Sequence, residues 1–189
     1  MSKLVAVKPK RDSPTWASYL LITSYSWFIY GLSATQALIR DEQGTSRTIS
    51  SLHAVAFSIG GIFAGLIAAR LLLTLGRGKF LTIAVFGSAT GILIYTVPGG
   101  TAVTLIGAFF ASLFGSAIII GGSAFLFDYQ QKAGPAAITE ANALAALGGI
   151  LAPLAIGFGA VFFLGWRFGL WVLLIGYVVS LLLMRRSPH

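Results

Sequence analysis

The stretch L-H-A-V-A-F-S-I-G-G-I-F-A-G-L-I-A-A-R-L-L-L-T-L-G-R-G-K-F-L, residues 52–81, decides the fold of this chain. From Leu52 to Ala69 it runs for 18 residues with no charge, apart from His53 when protonated. At about 1.5 Å of rise per residue, that is close to the roughly 30 Å hydrocarbon core of a bilayer. Small residues recur every four positions, Gly60-Ala64-Ala68 on one row and Gly61-Gly65-Ala69 on the next. Such rows let helix backbones approach closely in lipid. Gly76-Arg77-Gly78-Lys79 then makes a tight basic turn, and a new apolar run starts at Phe80. Two spanning helices joined this way form a hairpin, and its basic turn belongs in the cytoplasm.

The rest of the chain extends this reading. Of its 189 residues, 57% are hydrophobic and 10% charged, with a mean hydropathy of +0.88. Soluble domains carry about 25% charged residues. The composition is that of an all-α integral membrane protein with no separate soluble domain. Apolar runs place six spans at about 16–39, 49–75, 79–97, 101–127, 135–164 and 168–184, after a basic tail over 1–15. Pro98-Gly99-Gly100 separates the third from the fourth, and Pro135 opens the fifth. The apolar run after the tail is too long and too rich in Tyr and Trp for a signal peptide.

Charge sets the expected orientation. Six spans put Lys3, Lys8, Lys10, Arg11, Arg70, Arg77, Lys79, Lys132, Arg185 and Arg186 on one side, and Arg40, Arg47 and Arg167 on the other. The positive-inside rule then places both termini in the cytoplasm, and the expected location is the cell (inner) membrane. The net charge of +8 is accounted for without a nucleic-acid partner. Leu75-Gly76-Arg77 and Leu164-Gly165-Trp166-Arg167 fall at equivalent turns of two three-helix units, so the spans read as two inverted three-helix repeats.

Candidate functional residues follow from polarity. Tyr19, Thr23, Ser26, Tyr30 and Ser33 share one face of the first span, and Ser112, Ser116 and Ser123 share a face of the fourth. A polar face inside a membrane looks onto a cavity or onto another helix. Asp128 and Glu140 flank the loop between spans four and five; Glu140 reads as an anion favoured by the helix dipole, or as a gating partner of Arg70 or Lys132. Arg70 snorkels to the headgroups, and Trp16 reads as an interface anchor. His53 reads as a neutral, hydrogen-bonded histidine near the outer end of its helix. Ala141, Ala145, Gly149, Pro153 and Gly157 form a row along the fifth span, where Pro153 permits a bend. Enzyme chemistry lacks an inventory: there are two histidines, no cysteine, no metal cluster, no H-E-x-x-H, no G-x-S-x-G and no Walker loop. No metal or cofactor is expected.

Two stretches carry a family resemblance. Residues 65–79 resemble the G-x-x-x-D-R-x-G-R-[RK] motif between helices 2 and 3 of the major facilitator superfamily. Gly65, Ala69 and Arg70 stand at its Gly, Asp and Arg, and Gly76, Arg77, Gly78 and Lys79 follow four residues late. The acidic position is therefore Ala. Gly148 to Gly157 is similar to the Gly/Pro-rich helix 5 motif of antiporters in that superfamily, with Ala152 where that motif has Gly before its Pro. The resemblance implies half of the superfamily's twelve-helix fold, with helices 1 and 4 lining a cavity. It also implies transport of a small-molecule solute by alternating access, and a second six-helix bundle against helices 2 and 5. That bundle would be a second copy, a separate chain or a half removed by truncation. The opposing expectation is a non-transporting membrane scaffold or remnant.

Overall fold

The computed structural model describes residues 8–162 and 165–185. Its elements are α1 (Ser13–Gln43), α2 (Arg47–Leu75), α3 (Arg77–Thr96), α4 (Gly100–Gln130), α5 (Gly134–Val161) and α6 (Trp166–Arg185), with a single 3-10 turn over Gln131–Ala133 between α4 and α5. Among the described residues, four continuous helical stretches are long and apolar enough to cross a membrane: Arg47–Leu75, Arg77–Thr96, Gly100–Val161 and Trp166–Arg185. The third contains both α4 and α5. α1 is as long but is not among the four; its central segment carries Thr23, Ser24, Tyr25 and Ser26 in sequence.

Local chemistry sets the ends. Asp12 caps α1 by accepting from the Thr15 backbone N–H, with Pro14 in the first turn, and Gly44 ends it in the left-handed conformation. α1 therefore reaches beyond the apolar run 16–39 at both ends. Ser46 caps α2. A single residue, Gly76 at φ 75°, separates α2 from α3, so the expected basic turn is tighter than four residues. The expected loop 128–134 is helical through Gln130 and then turns at once into α5. α5 ends at Val161. The expected end of this helix at Leu164, along with Lys3 and Arg186 of the charge count, lies outside the described residues.

The turns and helices recur in pairs. Gly76 after α2 and Gly165 before α6 have φ of 75° and 72°, while Gly44 after α1 and Gln131 after α4 have φ of 60° and 49°. Gly60-Gly61-Ile62-Phe63-Ala64-Gly65-Leu66 in α2 is matched by Gly148-Gly149-Ile150-Leu151-Ala152-Pro153-Leu154 in α5. Gly60, Ala64, Gly148 and Ala152 are all buried. Packing follows the same plan: α4 lies mainly on α2 and α3, α1 lies mainly on α5 and α6, and α1 meets α4 between them.

Both ends of the bundle are tied. At one end Ser13 Oγ donates to the Leu183 carbonyl at 3.1 Å, and Arg77 pairs with Asp128. At the other, Thr101 donates to Gln43 at 2.7 Å, and Arg167 Nε donates to the Thr96 carbonyl at 2.6 Å. The α2–α3 and α4–α5 turns and both ends of the described chain therefore share one end of the bundle. The core between the ends is apolar and aromatic, with Tyr25, Phe28, Ile92, Tyr95, Ile118, Leu170 and Tyr177 buried.

Candidate functional site

The polar face of α1 runs along α5. Tyr19 is buried and donates to Glu140 at 3.0 Å. One turn on, the α1 backbone at Thr23 and Trp27 comes close to Gly148: a Cβ there would stand 3.6 Å from the Trp27 nitrogen and 3.8 Å from the Thr23 carbonyl oxygen. Thr23 Oγ1 is buried and has no hydrogen-bond partner among the described residues. Ser26 is buried as well. Tyr30 is 42% exposed, and its ring rests over Gly149. Ser33 is exposed and its hydroxyl returns to the Tyr30 carbonyl at 3.0 Å. Of this face, Tyr30 and Ser33 reach the outside of the bundle.

α4 meets α2 in the corresponding way. A Cβ on Gly60 would collide with the Phe109 carbonyl and stand 3.0 Å from the Leu113 nitrogen. Glycine is required by this approach of two backbones. A Cβ on the neighbouring Gly61 would stand 3.5 Å from both the Ser112 and Ser116 hydroxyls. Ser112 Oγ is buried without a partner among the described residues, Ser116 is 3.4 Å from the Tyr25 hydroxyl, and Ser123 is half-buried. Gly65 and Gly157 face open space. Gly149 and Pro153 are half-buried on α5. Gly78 and Lys79 are exposed in the first turn of α3.

Among the described residues, charged side chains gather in a cluster at each end of the bundle. At the end holding the α2–α3 turn, Arg11 pairs with Glu140 at 2.9 Å, so the Glu140 carboxylate is shared by Arg11 and Tyr19 rather than by Arg70 or Lys132, which are exposed. Tyr129 donates to Asp12 at 2.6 Å, Lys10 pairs with Asp12 at 3.0 Å, and Gln130 bonds to both Lys10 and Thr15. Partial burial raises the Asp12 carboxyl, but the bonds from Tyr129, Lys10 and Thr15 outweigh it and hold the group down to about 2. Residues 10–12 are thereby latched onto the α4–α5 turn.

At the opposite end Glu42 accepts from Arg167 at 2.5 Å and from Trp166 Nε1 at 3.0 Å. The Arg167 bond holds the Glu42 carboxyl below its ordinary value against a raising effect of burial. A cavity of about 280 Å³ lies here, lined by Glu42, Gln43, Thr101, Thr104, Trp166 and Arg167 among others. Behind it His53 is buried, with Nδ1 2.9 Å from the Ser50 carbonyl and Nε2 2.7 Å from Thr104 Oγ1. A carbonyl only accepts, so Nδ1 carries the proton and, in the neutral ring, Nε2 accepts from Thr104. No group of metal-ligating side chains occurs among the described residues.

Sequence reading missed the buried tyrosines. Tyr95 bonds Thr35 at 2.7 Å and Tyr177 bonds Ser88 at 2.9 Å, linking α3 to α1 and α3 to α6. No periodicity sets these residues apart from interface aromatics. The recurrent Gly-Gly-Ile-x-Ala was the available signal for the paired crossings of α2 and α5.

Residues 17–189 match the model of the Major Facilitator Superfamily. Three proteins of Schizosaccharomyces pombe, each described as an uncharacterized transporter, are 29% identical to this chain over 138 residues. The match covers 72% of this chain and 28% of each relative. A chain matched along nearly its whole length, built of apolar helices packed about α1 and α4, is a multi-pass membrane protein that belongs to the Major Facilitator Superfamily.

Proposed function

We propose that this chain crosses the membrane six times, over about residues 16–186, as two inverted three-helix units, and forms one bundle of a transporter that moves a small solute by alternating access. The reading rests chiefly on α1 and α4. Each lies against two helices of the other unit, and the two meet in the middle. The paired φ values at the turns and the repeated Gly-Gly-Ile-x-Ala support the two units. The basic residues support cytoplasmic termini.

On this reading Tyr30 and Ser33 of α1, with Ser116 and Ser123 of α4, contribute to the solute path. Tyr19 ties α1 to α5 through Glu140, while Thr23, Ser26 and Ser112 are packing residues. The apolar outer faces of α2 and α5, with Gly65 and Gly157 open on them, receive a second six-helix bundle. Arg77–Asp128 and Arg11–Glu140 tie the cytoplasmic end in the state described here.

The chain contains no cysteine, which makes the test direct. Single cysteines at Tyr30, at Ser33 and at the buried Ile92 are labelled in intact cells and in inverted vesicles with a membrane-impermeant maleimide. Alternating access requires Y30C and S33C to label from both sides, with rates that shift when solutes are added, while I92C stays unlabelled. Labelling from one side only, unmoved by any solute, would leave a membrane scaffold instead.

A further inference from the structure

We propose that the groove between α2 and α3 holds an acyl chain of an anionic phospholipid, with Arg70 and Lys79 binding its phosphate. α2 and α3 are joined by one residue, yet they touch each other little and both pack on α4. They leave a groove of about 260 Å³ with only apolar residues along it, among them Ala64, Ala68, Leu71, Ile83, Ala84 and Phe114. Its alanine floor is buried, with Ala64 and Ala68 at 1% exposure, whereas its rim at Ile67, Leu71 and Ile83 is 42%, 40% and 49% exposed. From Ala64 to Leu75, the lining extends over about 16 Å of helix. An open apolar channel of this length along a membrane helix matches an extended hydrocarbon chain.

The charge at its mouth selects the headgroup. Arg70 directly precedes Leu71, and Lys79 directly precedes Phe80, and both Leu71 and Phe80 line the groove. Neither α2 nor α3 contains an Asp or Glu. Asp128 of α4 reaches this turn, but it is paired with Arg77. Arg70 and Lys79 are exposed and form no ion pair among the described residues. Lys79 at the turn end of the groove and Arg70 about 8 Å along α2 from that end, both uncompensated and both long side chains, fit a phosphate diester carrying net negative charge, and each basic residue at an anionic lipid surface changes binding by about fivefold. This inference rests on the membrane reading but not on transport.

The test is native mass spectrometry of the full chain released from detergent containing equimolar dioleoylphosphatidylglycerol and dioleoylphosphatidylcholine. The unmodified chain is expected to keep one phosphatidylglycerol in preference to phosphatidylcholine. R70Q/K79Q, changed only at exposed positions, should lower that preference fivefold or more. I67W, which fills the groove from its exposed rim, should reduce retention of both lipids. Equal retention of the two lipids by the unmodified chain overturns the proposal, as does an unaltered preference in R70Q/K79Q. So does full lipid retention by I67W, or a dimer of the chain that I67W breaks, because then a protein fills the groove. Solute-dependent labelling of Y30C is unaffected by any of these outcomes.

Discussion

The ring of Tyr30 in α1 lies over Gly149 in α5, where an added Cβ would stand 3.4 Å from ring carbons Cδ2 and Cε2. That is ordinary van der Waals contact, so one methyl fits and a larger side chain does not. Gly149→Ala should leave both stability and solute-dependent labelling of the protein unchanged. Gly149→Leu should lift the ring, cost about 1–3 kcal/mol of stability, and lower transport tenfold or more. Transport that survives Gly149→Leu in a variant shown to be folded would overturn the proposed place of Tyr30 in a solute path.

Thr23 gives a contrasting expectation, because its hydroxyl is buried between α1 and α5 with no partner among the described residues. Thr23→Val keeps the shape and removes an unsatisfied polar atom. It should stabilise the bundle by about 1 kcal/mol in a thermal or SDS unfolding titration, with transport retained. A loss of transport in a stabilised Thr23→Val variant would mean that the hydroxyl serves solute rather than packing.

The α1 cap titrates at low pH. The Asp12 carboxyl is held at about 2 in the folded protein, against 3.8 ordinarily. Its depressed value means that the stabilisation is fully present above pH 3.8 and is lost as pH falls toward 2. Tyr129→Phe removes one of the bonds that depress it, so the folded-state value rises toward 3.8; the acid-dependent loss of stability should become smaller and be complete at a higher pH. Melting by tryptophan fluorescence between pH 2 and 6 reads this, and superimposable profiles for the two proteins would show that the Asp12–Tyr129 bond contributes nothing.

His53 and Thr104 are expected to behave as one unit. Thr104→Val leaves the buried Nε2 without its donor and should cost about 1–3 kcal/mol. The double variant His53→Phe/Thr104→Val removes both partners and keeps an aromatic ring beside Tyr95, whose centroid lies 5.9 Å from that of His53. It should be more stable than Thr104→Val alone. Strict additivity of the two single changes would show that the 2.7 Å contact carries no coupling.

The two small-residue rows of α2 separate folding from assembly. Gly60→Leu drives a side chain into the α4 backbone and should prevent formation of a stable bundle. Gly65→Leu projects into open space and should leave the unfolding temperature within about 2 °C, corresponding to less than about 0.5 kcal/mol. If α2 receives a second bundle, Gly65→Leu should still weaken that association, read as a shift in lipid-corrected mass in nanodiscs. An unchanged mass for a species larger than one chain would place the interface elsewhere.

Much of the fold was legible from residue order. Runs such as Leu52 to Ala69 have too much apolar surface and too little charge for water, and breaks such as Pro98-Gly99-Gly100 divide them. Gly60, Ala64 and Ala68 fall on one helical row because the period is fixed, and that row is the buried one. The functional face was less legible. Tyr19, Thr23, Ser26, Tyr30 and Ser33 share a face by periodicity, but periodicity does not say which neighbour the face meets.

Sequence alone therefore determined the helices, their membrane character and the family, since these depend on local hydropathy, caps and motif spacing. Tertiary structure decided which polar groups are sealed and which are open. It placed Thr23 against α5 while leaving Tyr30 exposed, and it gave Glu140 to Arg11, 129 positions away in the chain. The physical reason is that the partner of a side chain is set by how helices distant in sequence cross, and those crossings depend on small residues such as Gly60 and Gly148 on the opposing helix.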